Sequence, residues 1–93
     1  MSKKTTEHAA SVLKEIKAEV NKEVIKDFEM PDICNMETAM ITGFAVILTL
    51  STKFDYTNRI FDNWMKRLEA DDYMISVTRN QLRVRFNVMY SKK

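Results

Sequence analysis

One glycine, one proline, one cysteine and one histidine in 93 residues leave this sequence little of the punctuation, and little of the chemistry, on which many small proteins depend. With Gly43 as the single glycine, a Gly-rich loop that cradles phosphate is excluded. Turns must come from Asp and Asn instead, and these fall at Asp32, Asn35, Asp55, Asp71, Asp72 and Asn80. Cys34 alone cannot close a disulfide within the chain, and a reducing compartment is expected. No Cys/His set suits zinc, so no metal and no other cofactor is expected. Long apolar runs are missing as well. The most apolar, AMITGFAVILTL at 39–50, falls short of the roughly 20 residues that span a bilayer. The opening MSKKTTEHAAS is basic but has no apolar stretch behind it, so it does not read as a secretory signal. A cytoplasmic protein without membrane contact is the expectation.

What is present is a hydrophobic fraction of 45%, which argues against disorder and suits a single domain over residues 1–93, with flexible tails at 1–4 and 91–93. A net charge of +2 implies no anionic partner by itself, but its distribution is uneven. Residues 1–50 carry six Lys, no Arg and eight acids, net −2, whereas residues 51–93 carry four Lys, five Arg and five acids, net +4. From Tyr73 onwards no acid stands against Arg79, Arg83, Arg85, Lys92 and Lys93.

Apolar residues at Ala9, Leu13, Ile16, Val20, Val24 and Phe28 recur at spacings of three and four. They predict an amphipathic helix over 5–29, capped by Thr5 or Thr6 and ended by Pro31. Its other side interleaves Lys14, Lys17, Lys22 and Lys26 with Glu15, Glu19 and Glu23, and reads as a solvated face. Residues 36–53 read two ways. Asn35 as a cap, with a stripe of Thr38, Thr42, Ala45, Thr49 and Thr52, favours a helix. The β-branched FAVILTLST at 44–52 would instead make a strand buried on both faces. A further helix is predicted over 56–70, with Ile60, Phe61, Trp64, Met65 and Leu68 on its apolar face. Asp55 or Thr57 would cap it, and Asp62 would pair with Lys66 on its outside.

The C-terminal segment predicts a β-hairpin. A loop at Asn80–Gln81, or a four-residue loop at 79–82, sets Val77 opposite Val84, Ile75 opposite Phe86 and Tyr73 opposite Val88. One face is then wholly apolar. The other carries Met74, Ser76, Thr78, Arg83, Arg85, Asn87 and Met89. The fold class expected is α+β, with two or three helices packed on a C-terminal β-hairpin and, in the strand reading, a third strand at 44–52.

Catalysis finds little material here, and no catalytic residue is assigned. His8 reads as a surface residue at a helix start, and Cys34, just after the Pro31–Asp32 turn, as a half-buried structural thiol. Binding is better supported. Arg83 and Arg85 stand among the small Ser76 and Thr78, which leave room for bidentate contacts to phosphate. Arg79 and Asn80 occupy the hairpin tip, beside Gln81. With Lys92, Lys93, Arg59 and Lys66 they form the candidate nucleic-acid-binding set, to which Lys53 and Arg67 would add if they face the same way. Tyr73, Phe86 and Tyr90 fall on the core face and leave no platform for stacking single-stranded bases, which favours a structured or duplex RNA or DNA. A small non-enzymatic nucleic-acid-binding regulatory protein is therefore expected. The alternative is a protein-binding inhibitor or adaptor that acts through a helical or Met/Arg surface, motivated by the apolar stripe at 9–28 and the outward Met74 and Met89.

MKRLEADDYMISVTRNQLRVRF (65–86), preceded by the helix from Tyr56, resembles the recognition helix and wing of a winged helix-turn-helix domain over about a third of the chain. The resemblance implies that Arg59, Asn63 and Lys66 face a major groove, and that Arg79 and Asn80 touch backbone or minor groove. The Gly-poor, Lys/Asn/Met-bearing composition also resembles that of the small accessory proteins of large phages. Finally, a helix over 5–29 would run about 38 Å, longer than so small a core needs. A homo-oligomer is thus expected, with Leu13, Ile16, Val20 and Val24 at its interface.

Overall fold

The computed structural model describes residues 5–20 and 23–90. In chain order it contains α1 (Thr6–Glu19), β1 (Ile25–Glu29), β2 (Asp32–Asn35), β3 (Met40–Leu50), α2 (Asn58–Leu68), β4 (Asp72–Val77) and β5 (Leu82–Met89). Thr5 caps α1, its side chain accepting from the His8 N–H at 3.1 Å. The helix stops at Glu19, ten residues before the predicted end, and Ile25–Glu29 is a strand. The cause is a degeneracy of pattern: a spacing of four, as from Val24 to Phe28, is about one helical turn and also two strand periods. Pairing with β3 decides between them, placing Phe28 opposite Leu48.

The helix favoured over 36–53 is corrected in the same way. Residues 40–50 form the longest strand, paired with β5 along one side and with β1 and β2 along the other. Phe44, Val46, Leu48 and Leu50 alternate onto one face and are at most 1% exposed. Their burial between partners on both edges outweighs the helical spacing of the threonines. Asn35 does cap, but it caps a turn: its side-chain oxygen accepts from Glu37 N at 2.8 Å and Thr38 N at 3.2 Å. Ala39 completes that turn at φ 57°.

The second expected helix is present. Thr57 caps α2 by accepting from Ile60 N at 3.3 Å, and Glu69 ends it in the left-handed region at φ 58°. The hairpin is present as well, with its register moved by two: Tyr73 faces Phe86, Ile75 faces Val84, and residues 78–81 make the turn. A shift of two preserves the faces, so Leu82, Val84, Phe86 and Val88 join the β3 set in the core. The hairpin is not a free-standing wing. The strand order β1-β3-β5-β4, with β2 beside β1 along β3, puts β5 inside a five-stranded antiparallel sheet. The element before α2 is β3 rather than a helix, which removes the arrangement the winged-helix likeness implied. Among the described residues the fold is α+β, with two helices packed on one face of this sheet.

The helices are tied to each other by Arg67. Its guanidinium donates to both Glu19 carboxylate oxygens, at 2.9 and 2.8 Å, and to Glu15 at 3.2 Å. His8 Nε2 lies 3.2 Å from the Arg67 carbonyl. Hydrogen bonding to Arg67 holds the Glu19 carboxyl below its ordinary value, and Glu19 in turn raises the Arg67 guanidinium. A carboxylate with a lowered folded pKa stabilises above its unfolded value and loses that contribution as pH falls through the folded value. Arg67→Ala should therefore lower the thermal midpoint by a few degrees at neutral pH, and by progressively less below the usual carboxylate range. Thermal melts of both proteins at stepped pH check this. Asp62, expected to pair with Lys66, instead accepts from the Tyr73 hydroxyl at 2.9 Å, which raises the tyrosine pKa.

The side chains assigned to an oligomer interface are used within the chain. Leu13 and Ile16 are 2% and 0% exposed in the core, Val24 is buried with them, and Val20 packs against the same cluster. With 14 residues, α1 is about 21 Å long, not the roughly 38 Å of a helix over 5–29.

Candidate nucleic-acid interface

The sheet has a helix-covered face and an uncovered one, and this divides the candidate cations. Arg59 and Lys66 are exposed on α2, in the helical layer. Arg83 and Arg85 alternate with the buried Leu82, Val84 and Phe86, and so project from the opposite, uncovered face. Arg79 and Asn80 sit in the exposed turn at one end of the sheet. Lys92 and Lys93 lie outside the described residues. The winged-helix resemblance would have Arg59 and Lys66 act with the hairpin tip on one ligand, but the sheet separates them from Arg83 and Arg85.

The uncovered face is less basic than the acid-free segment from Tyr73 suggests. Neighbouring strands bring carboxylates to it: Asp27 lies opposite Thr49 and Glu29 opposite Ile47. Arg83 Nη2 is 4.0 Å from Glu29, while its Nε is buried without an acceptor. Arg85 Nε donates to Asn87 Oδ1 at 2.9 Å, and Asn87 Nδ2 donates to Asp72 at 2.7 Å. Both arginines border a shallow depression of about 220 Å³ with Ile47, Met74 and Ser76. Met74 is 65% exposed there.

A second feature, not visible in the sequence, lies at the turn end of the sheet. The start of β1, the loop after β3 and the 78–81 turn enclose a groove of about 370 Å³, lined by Glu23, Lys26, Thr49, Ser51, Lys53, Asn80 and Gln81 among others. Lys26 reaches it from the register shift between Ile25 and Asp27. In the last turn of a helix over 5–29, Lys26 would have no route to the hairpin tip; only the strand β1 and its pairing bring it there. Arg83 pairs with Thr49 of the groove wall, but its side chain borders the other depression and lies beside Glu29. The walls are held by their own bonds. Ser51 N donates to the Val24 carbonyl at 2.7 Å, Lys53 N to Ser51 Oγ at 3.2 Å, and Gln81 N to Thr78 Oγ1 at 3.1 Å.

Ammonium groups, hydroxyls and amides around an open polar groove are suited to binding an anion such as phosphate. Among the described residues, no group of three or more His, Cys, Asp and Glu is placed to hold a metal ion. Cys34, expected to be half-buried, is exposed on β2, at the edge of the sheet. No helix is long and apolar enough to cross a membrane among the described residues. No protein-family model matches the chain, and neither does any curated protein or solved structure.

Proposed function

We propose that this chain is a small non-enzymatic nucleic-acid-binding regulatory protein that grips phosphates at the turn end of its sheet. Lys26, Lys53, Arg79 and Arg83 are the cationic contacts, and Asn80 and Gln81 are neutral donors beside them. The observation that carries this reading is the convergence of three separate segments on one polar groove with Lys26, Lys53 and Asn80 in its wall. Lysines act there as point charges, and Arg79, next to Asn80 in the turn, and Arg83, paired with Thr49, would offer forks for phosphate oxygens that run on beyond the groove. Glu23 in the wall and Glu29 near Arg83 restrict where an anion can sit. Arg59 and Lys66 belong to the other face and drop out of the footprint.

Titration of labelled mixed-sequence duplex and single-stranded RNA and DNA across a salt series tests this. With four phosphate contacts, duplex-DNA affinity should fall roughly a hundredfold between about 50 and 200 mM salt. Lys26→Ala/Lys53→Ala should reduce the log–log salt slope by about two, whereas Arg59→Ala/Lys66→Ala should leave it unchanged. Absence of binding to every one of these probes at the lowest salt refutes the reading. In that event the uncovered face supports a protein-binding function instead. Its arginines already have Glu29 and, through Asn87, Asp72 close by, and the exposed Met74 lies beside them.

A further inference from the structure

The two edges of the sheet are built differently. Along one edge, β1 and β2 are split at Met30 and Pro31, and each has a register shift against β3, between Ile25 and Asp27 and between Ile33 and Cys34. Interruptions of this kind deter edge-to-edge pairing. At the other edge, β4 runs from Asp72 to Val77 in unbroken register with β5, and it pairs with no other described strand. It contains no Pro, Lys or Arg, and Met74 and Val77 are 65% and 63% exposed. The Thr78 N–H donates to the Gln81 carbonyl at 2.8 Å. By alternation, the backbones of Ser76 and Met74 also turn towards β5, which directs the N–H and C=O groups of Tyr73, Ile75 and Val77 outward.

We propose that β4 pairs antiparallel with β4 of a second copy of this chain, about a two-fold axis through Ile75, to make one continuous sheet. Charge selects a second copy as the occupant. The strand carries opposite charge at its two ends: Asp71, whose carboxylate accepts from Met89 N, and Asp72, which accepts from Asn87, stand at its start, and Arg79 lies just past its end. An antiparallel copy sets the acidic end of each strand beside the basic end of the other. Centred on Ile75, the pairing puts Asp71 opposite Arg79, Tyr73 opposite Val77, and Met74 opposite Ser76. An axis normal to the sheet also preserves the faces, so all four helices share one side and both Arg83–Arg85 pairs share the other. The two β5 strands then lie about 14 Å apart, three strand spacings. This contact is independent of the nucleic-acid reading, since it forms without ligand; where both hold, a duplex meets two sets of cations on one face. A six-residue strand buries less than a standard interface, so the dimer is weak.

Sedimentation equilibrium of the protein without nucleic acid, over a wide concentration range, tests the pairing. The expected result is a reversible monomer–dimer equilibrium. Val77→Lys, at an exposed edge position, should weaken it at least about tenfold, and Arg79→Glu should weaken it by placing like charge opposite Asp71. Met36→Lys, at a position 92% exposed in the turn between β2 and β3, should leave it unchanged. Hydrogen exchange of the wild type at low and high concentration gives a second readout that needs no variant: the amides of Tyr73, Ile75 and Val77 should gain protection. A protein that stays monomeric at the highest concentration overturns the proposal. So does a dimer unaffected by Val77→Lys, or protection gained along Ile25–Asn35 instead of β4.

Discussion

Phe86→Ala is expected to cost about 3–5 kcal/mol, enough to leave a domain of this size largely unfolded at modest urea concentrations. Phe86 is 0% exposed on β5, faces Val46 and Tyr73 across its two neighbouring strands, and meets the Tyr73 ring at a centroid distance of 5.8 Å. Tyr73 in turn touches Phe61 of α2 edge-on at 6.0 Å. Truncation therefore opens a cavity where sheet and helix meet, and a sheet held by pairing on both sides cannot collapse to fill it. Phe86→Leu should recover more than half of the loss. Met74→Ala, on the neighbouring strand but with its side chain outside the core, should stay within about 0.5 kcal/mol of the wild type. Urea denaturation followed by circular dichroism ranks the three. Equal stability of Phe86→Ala and Met74→Ala would contradict this placement of the core.

Gly43→Ala should destabilise by about 2 kcal/mol or more, an unusually large effect for adding one methyl group. The glycine is not required by its backbone angles, since its φ is not positive. It is required by space. A Cβ built on Gly43 would lie 2.2 Å from the Val88 carbonyl oxygen and 3.0 Å from Met89 Cα, both backbone atoms of β5. No side-chain rotation relieves such a clash, so β3 and β5 would have to part where Gly43 pairs with Met89. The lower chain entropy of alanine in the unfolded state offsets only about 0.4–1 kcal/mol of this. The same urea titration measures it, and hydrogen exchange should show the loss concentrated at residues 42–44 and 88–90. A variant as stable as the wild type would mean that the strands are further apart at this point.

Reading the residues in order recovers those parts of the molecule whose patterns are local. Thr5 and Thr57 act as caps, α2 buries Phe61, Trp64 and Leu68, and Arg83 and Arg85 face away from the core. Each of these depends on residues within one or two turns or on simple alternation. The faces of the hairpin are legible although its turn lies at 78–81, because slipping the register by two leaves every side chain on its original face. The continuation of the first helix to residue 29, and the preference for helix over strand at 36–53, fail for the complementary reason, while the strand alternative at 44–52 is the one the fold adopts. Val24 and Phe28, or the threonines of 38–52, satisfy a helical period and a strand period about equally well, and the deciding energy comes from strands distant in the chain.

The working surface shows the same division. By itself the sequence determined that the chain is α+β, that its second half is the cationic one, and that two arginines of the hairpin share a face opposite to the apolar residues. These follow from composition and from the two-residue repeat of a strand. Tertiary structure alone decided that Lys26 and Lys53 meet Asn80 at one groove, that Glu29 and Asp72 come up beside the arginines, and that Arg59 and Lys66 lie on the far side of the sheet. Charge at a surface is set by which strands are neighbours. Neighbours in an antiparallel sheet are chosen by burial and pairing across the whole chain, not by proximity along it.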